Sequence, residues 1–178
     1  ILVAKKDTIK QRLKEIGYSE NLDIEITNST DKEKREKYVN FLFKKLQREQ
    51  GLLERDCDRM VRTDRIIWAS CMVACKDADA MITGNTRRYS SSLEKVIQVV
   101  DPRPGEIMYG LNLVVNRGKT IFICDTSVIE YPDANQLADM AISAARVVRL
   151  FGFDPKVAFL SHSTFGQPVT DRTKRISD

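Results

Sequence analysis

Two arginines, a glycine and a run of hydroxyl side chains are the features of this sequence with chemistry to offer. Gly84, Arg87 and Arg88 stand between a short apolar run, Ala78 to Thr83, and Ser91-x-x-Glu94, a capping-box pattern that opens a helix. A strand, a glycine turn, two guanidinium groups and a helix N-terminus would concentrate backbone N–H donors and positive charge, which makes an anion pocket. The same residues equally suit a solvated loop whose arginines pair with neighbouring carboxylates, and local sequence leaves both readings open. Further on, Asp125 follows the apolar run Phe122-Ile-Cys, while Ser161, Ser163, Thr164 and Gly166 follow Lys156 to Leu160. Small hydroxyl residues and a glycine directly after a buried strand form the kind of loop that holds phosphate through backbone N–H groups.

The single histidine, His162, lies between Ser161 and Ser163. Adjacent strand-end residues point apart, so this run does not make a nucleophile and its base. No Gly-x-Gly-x-x-Gly or P-loop pattern is present. Hydroxyls, guanidinium groups and one carboxylate suit an anionic or phosphorylated ligand better than a metal or a hydride carrier. Cys71 and Cys75 share a helix face, but no third ligand stands near them in sequence, so no metal site is expected. Cys57, Cys71, Cys75 and Cys124 are expected as buried free thiols, which implies a reducing, cytoplasmic setting.

The chain has 178 residues, 42% of them apolar, enough for one large domain or two small lobes. Its charge of +4 is spread among mixed signs and aromatics are 7%, so no nucleic-acid footprint is expected. No apolar run approaches the roughly 20 residues of a membrane span. Ile1-Leu2-Val3 begins without leading polar residues and Arg172 to Asp178 reads as a helix cut short, so residues 1–178 are expected to be a partial domain severed at both ends.

The elements that must position these loops alternate. Strands are expected at residues 1–4, 23–27, 78–83 and 156–160. Asp7, Thr30-x-x-Glu33, Ser91-x-x-Glu94 and Asp133-x-x-Gln136 are read as helix starts, and Gly17, Gly51 and Gly152 as stops. Thr63-Asp64 restarts a helix within residues 52–76, and Asn116-Arg-Gly118 joins two β runs into a hairpin over residues 107–124. This order implies an α/β protein with a largely parallel, mixed sheet. In such sheets ligands gather beyond the carboxyl ends of the strands, where the Gly84, Asp125 and Ser161 loops can converge.

Asp77-Ala-Asp-Ala-Met-Ile-Thr-Gly84, Phe122-Ile-Cys-Asp125 followed by Pro132 and a capped helix, and Val157-Ala-Phe-Leu-Ser-x-Ser-Thr-x-Gly166 together resemble the phosphotransacetylase family. Gly84, Tyr89, Leu93 and Glu94 make the pattern more similar to the phosphotransacetylase-like domain of hybrid bacterial NADP-dependent malic enzymes. The resemblance implies a two-lobed, three-layer α/β/α fold like that of isocitrate and isopropylmalate dehydrogenases. It implies acetyl-CoA and phosphate in the cleft between lobes, and an assembly of two or more copies. It also implies that Glu94 stands where active transacetylases carry an arginine, that Arg48 or Gln47 matches a second arginine, and that Phe165 replaces a lysine. A further Ser-Arg-Gly motif of the family falls beyond this sequence.

That pattern favours a regulatory domain that binds acetyl-CoA or a related CoA ester, with Gly84, Arg87, Arg88, Asp125, Ser161, Ser163, Thr164 and Gly166 as ligand contacts and Arg48 and Glu94 in attendance. No cofactor is expected in the domain itself. NADP and a divalent metal would belong to an attached malic enzyme domain. The alternatives are a working phosphate acetyltransferase, with Arg87 or Arg88 in the substituted arginine's role, and a domain that only oligomerises. Glu94 also suits the simpler role of capping partner to Ser91, and the alanine-rich helix after Asp133 suits either sheet packing or a dimer surface.

Overall fold

Apolar residues at helical spacing build the longest element first. In a computed structural model that describes residues 1–18, 23–84 and 86–178, Tyr38, Val39, Leu42 and Leu46 form the buried face of a helix from Lys32 to Gln50. Asp31 caps its start by accepting from the Lys34 N–H at 3.1 Å, and Gly51 ends it in the left-handed region at φ +66°. Ahead of it come β1 (Leu2–Val3), α1 (Lys6–Glu15) and β2 (Ile26–Thr27), so the long helix is α2. β1 and β2 pair in parallel, Leu2 opposite Ile26 and Val3 opposite Thr27, with α1 as the crossover between them.

After α2 follow α3 (Glu54–Thr63), α4 (Arg65–Ala74) and α5 (Tyr89–Val99). Asp64 lies between α3 and α4 and caps the latter through the Ile66 N–H at 2.9 Å, so the restart read at Thr63-Asp64 is present. Cys57 and Val61 of α3, Ile67, Trp68, Cys71 and Met72 of α4, and Val99 of α5 close over the α2 face. Tyr38 and Trp68 meet edge to face at 4.9 Å. These residues are the core of one compact unit, Ile1–Asp101.

The second unit, Pro102–Asp178, holds β3 (Leu111–Asn116), β4 (Lys119–Cys124), α6 (Ala134–Leu150) and α7 (Asp171–Ser177). β3 and β4 are antiparallel, with Asn116 opposite Lys119 across a two-residue turn. Arg117 and Gly118 both have positive φ, +49° and +76°, the backbone that twists with the flanking strands. The expected hairpin is therefore present, although β3 starts at Leu111 rather than Ile107. Asp133 and Gln136 cap α6 reciprocally, at 2.8 and 2.9 Å, as the pattern foretold.

Several expectations need correction. Residues 78–83 and 156–160 are not strands: neither run joins a ladder among the described residues, and Ile82 and Leu160 stand 103% and 86% exposed. An apolar run becomes a strand only where another backbone meets its N–H and C=O groups. The Asp77 and Ala78 N–H groups turn back to the Met72 carbonyl instead. The second strand begins at Ile26, not Asp23. Among the described residues the parallel and antiparallel pairs are separate two-stranded sheets, not one mixed sheet, while the α/β class holds. Three caps also move. α1 starts at Lys6, ahead of Asp7, α2 is capped by Asp31 rather than Thr30, and α5 begins at Tyr89, which leaves Ser91 inside the helix. A carboxylate is a stronger acceptor than a hydroxyl, so Asp31 wins over its neighbour. Cys57 and Cys71 are buried as expected, Cys75 is half-buried and Cys124 is exposed at the end of the hairpin.

Leu42 is completely buried, whereas Leu53 is about half exposed. Leu42→Ala should cost about 2–5 kcal/mol and Leu53→Ala under about 1 kcal/mol, measured by denaturant unfolding followed through the fluorescence of Trp68, the sole tryptophan.

Candidate functional site

The Arg87 and Arg88 loop owes its position to Asp64. The Arg87 guanidinium donates to Asp64 Oδ2 at 2.9 Å, and the Lys95 ammonium of α5 donates to the same oxygen. Burial alone would raise the Asp64 pKa, but Lys95, the Ile66 N–H and Arg87 together hold it below the usual carboxylate value. The reading of a loop whose arginine pairs with a carboxylate therefore describes Arg87. Arg88 is different: it occupies the cap position of α5, is exposed and makes no ion pair among the described residues. The first turn of α5 holds no acid and no side chain caps it, so its free N–H groups keep their positive end. Gly84 lies four residues earlier at φ +145°, a backbone that side chains disfavour, and Asn85 lies outside the described residues.

Glu94 is exposed on α5 and does not cap it, which removes its reading as the partner of Ser91. Arg48 is exposed in the last turn of α2. Asp77, from the run that opens the motif, is structural. It accepts from Tyr38 Oη at 2.8 Å and from Lys37 Nζ at 2.6 Å, tying α2 to the turn after α4. Lys37 and then Tyr38 lower the Asp77 pKa, while burial pushes the Tyr38 phenol up.

The remaining sequence-derived residues belong to the second unit. Asp125 accepts backbone N–H donors from Gly110 at 2.8 Å, Ser127 at 3.0 Å, Val128 at 3.3 Å and Ile129 at 2.7 Å. Burial opposes its ionisation, yet these four donors bring its pKa below the ordinary carboxylate value. Both of its oxygens are thus occupied in folding the 125–129 loop over the start of β3. Gly110 belongs to that cage, because a Cβ there would come within 2.9 Å of Asp125 Oδ1. No spacing rule would have singled it out.

Ser161 and Ser163 share a hydrogen bond of 3.0 Å, and the Ser163 N–H returns to Ser161 Oγ at 3.2 Å. Thr164 and Gln167 exchange N–H to C=O bonds of 2.8 and 3.1 Å around a tight turn at Phe165 and Gly166, whose φ angles are +49° and +80°. Much of this loop's donor capacity is therefore spent within it, and Phe165 is fully exposed at its tip. Beside these loops a concavity of about 420 Å³ lies among β3, β4, α6 and residues 153–159. Leu111, Phe122, Met140, Val148 and Phe159 are among the apolar residues that line it, Asp154 and Lys156 are its charged members, and its surface is divided between polar and apolar atoms. Among the described residues, no group of three or more His, Cys, Asp or Glu is placed to hold a metal. Among the same residues, no helix is long and apolar enough to cross a membrane.

Comparison with known proteins places these details in context. The family profile described as phosphate acetyl/butaryl transferase matches residues 1–178. A probable NADP-dependent malic enzyme of Rickettsia prowazekii is 37% identical over all of this chain, which covers 23% of that protein. A phosphate acetyltransferase of Acetivibrio thermocellus is 28% identical over 88% of this chain and 50% of its own. The crystal structure of a phosphotransacetylase from Streptococcus pyogenes superimposes on 96% of this chain and 52% of its own, with a TM-score of 0.78 at 22% identity. The chain thus has the fold of about half of a phosphotransacetylase and spans about a quarter of the malic enzymes it matches.

Two substitutions test these assignments. Asp125→Asn should cost about 1–3 kcal/mol at neutral pH, because an amide cannot accept all four N–H donors. A carboxyl with a lowered folded pKa stabilises above its unfolded value of about 3.9 and loses that contribution as pH falls through the folded value. The difference between wild type and Asp125→Asn in thermal unfolding should therefore shrink on acidification below pH of about 4. Arg87→Glu, which sets a second carboxylate against Asp64, should lower stability by about 1–3 kcal/mol, whereas Arg88→Glu should leave the melting temperature nearly unchanged.

Proposed function

The chain belongs to the phosphate acetyl/butaryl transferase family, and from that premise we propose that it is a regulatory domain of a malic enzyme, binding acetyl-CoA or a related CoA ester. The carrying observation is the match of the whole chain, at 37% identity, to about a quarter of a malic enzyme. A shared segment of that length is an appended domain, and oxidative decarboxylation of malate, with its NADP and divalent metal, falls to the rest of the longer protein. Acetyl-CoA regulates if it binds one arrangement of lobes or subunits more tightly than another and so shifts the population of the attached enzyme. The family's three-layer architecture, a homo-oligomeric assembly and a cytoplasmic setting accompany this reading.

Three features of the site support binding over catalysis. Arg87 is committed to Asp64, Glu94 offers negative charge where an acyl phosphate needs positive, and Asp125 is engaged by backbone donors. What remains for a ligand is Arg88 at the uncapped start of α5 and, in the second unit, a concavity of about 420 Å³ with both apolar and polar surface. That volume and lining suit the thioester arm of a CoA ester, with the few polar groups fixing its orientation.

A working phosphate acetyltransferase is the second reading, favoured by the unpaired Arg88 and by the 28% identity to the Acetivibrio enzyme. Calorimetric titration of acetyl-CoA into this chain and into the malic enzyme that carries it, with an acetyl-transfer assay on both, separates the two. Saturable binding without transfer is expected, and Arg88→Glu should weaken it several-fold. Turnover of about 1 to 1,000 per second would favour the transferase, absence of binding in both proteins would overturn both readings in favour of a domain that only oligomerises, and binding to the longer protein alone would show that segments outside this chain complete the site.

A further inference from the structure

The concavity of about 420 Å³ in the second unit is bordered by two backbone edges. Thr120, Ile121 and Phe122 of β4 line it in succession, and so do residues 153–159. Successive side chains of an extended chain point to opposite sides, so a wall made of consecutive residues is the edge of that chain, where N–H and C=O groups project. β3 and β4 are a two-stranded sheet among the described residues, which leaves β4 one edge unpaired. The backbone of residues 154–160 likewise makes no hydrogen bond among the described residues. Phe122 and Phe153 hold the start of this run against β4, with ring centroids 5.9 Å apart, yet the two edges share no ladder.

Both edges need a partner, and the space between elements needs filling. Native interiors hold few voids larger than a water molecule, whereas here Met140 and Val148 of α6, both buried, and Ala141, Ala144 and Ala145 border an open slot. A helix cannot serve these edges, because its own N–H and C=O groups are already paired. A single extended segment can: it offers donors and acceptors along both of its sides, and the side chains of one face would meet the small alanines of α6. β4 borders the slot from Thr120 to Cys124, which fits a strand of about five residues at ~3.3 Å per residue. Chain to supply it exists in the longer relatives, since this chain covers 23% of the Rickettsia malic enzyme and 52% of the Streptococcus phosphotransacetylase.

We propose that an apolar strand of the longer protein, from outside this chain, inserts between β4 and residues 154–160 and completes a sheet over α6. A strand and the thioester arm of a CoA ester would compete for this slot, so binding of either weakens the other. The insertion does not depend on the regulatory reading, and with no ligand present either can fail while the other stands. Hydrogen exchange resolved residue by residue, in this chain and in the malic enzyme that carries it, reads the insertion. In this chain the amides of residues 156–160, and those of β4 not bonded to β3, should exchange at close to free-chain rates. In the longer protein both sets should slow together, by about tenfold or more. Ala144→Phe, which fills the slot from α6, should abolish that slowing in the longer protein and leave exchange in this chain unchanged. Slowing of residues 156–160 without β4, or of neither, would overturn the proposal. Protection already present in this chain alone would also overturn it: protection that grows with concentration assigns the slot to a second copy, and protection that does not shows residues 156–160 pairing with β4 themselves.

Discussion

One carboxylate governs the first unit. Asp64 sits where α3 ends and α4 begins, and it meets three demands at once: the first turn of α4 through Ile66, the loop after residue 84 through Arg87, and the face of α5 through Lys95. Held mostly out of water, it stays ionised only because these donors surround it. Remove the charge, and three segments that share no backbone ladder lose their common anchor. Asp77 has a similar role just beyond α4, where it takes Tyr38 and Lys37 from α2. The core of Tyr38, Leu42, Trp68 and Cys71 supplies the larger share of burial, and these two acids decide how the loops lie upon it.

Asp125 does the corresponding work in the second unit with a different set of donors. Here the partners are four backbone N–H groups, and the acid folds a loop rather than joining helices. The absence of a Cβ at Gly110 lets β3 come close enough to join. Asp64, Asp77 and Asp125 all lie in runs that carry helix-start or ligand-binding patterns when read as strings. Each is held by the scaffold: Asp64 does start α4 and also takes Arg87 and Lys95, Asp77 takes Lys37 and Tyr38, and Asp125 takes four backbone N–H groups. Of the two arginines in the loop after Gly84, Arg88 is the one that no carboxylate among the described residues claims.

Helices were the most legible elements of the fold, because their evidence is local. The stripe of α2, the restart at Asp64, the capping box of α6 and the turn at Arg117-Gly118 each follow from a few neighbouring residues. Cap positions slipped by a residue or two wherever several hydroxyls or acids competed for the same N–H groups, as at Thr30 and Asp31. Strands were less legible, since residues 78–83 and 156–160 have strand-like sequences and no strand to pair with among the described residues.

By itself, then, the sequence determined the α/β class, the order of helices and the family to which the chain belongs, because periodicity, turn residues and spaced motifs are properties of neighbouring positions. Tertiary structure alone decided which charged groups are spent and which are free. Arg87 and Arg88 are adjacent and chemically identical, yet one reaches Asp64 from 23 residues away and the other reaches no carboxylate among the described residues.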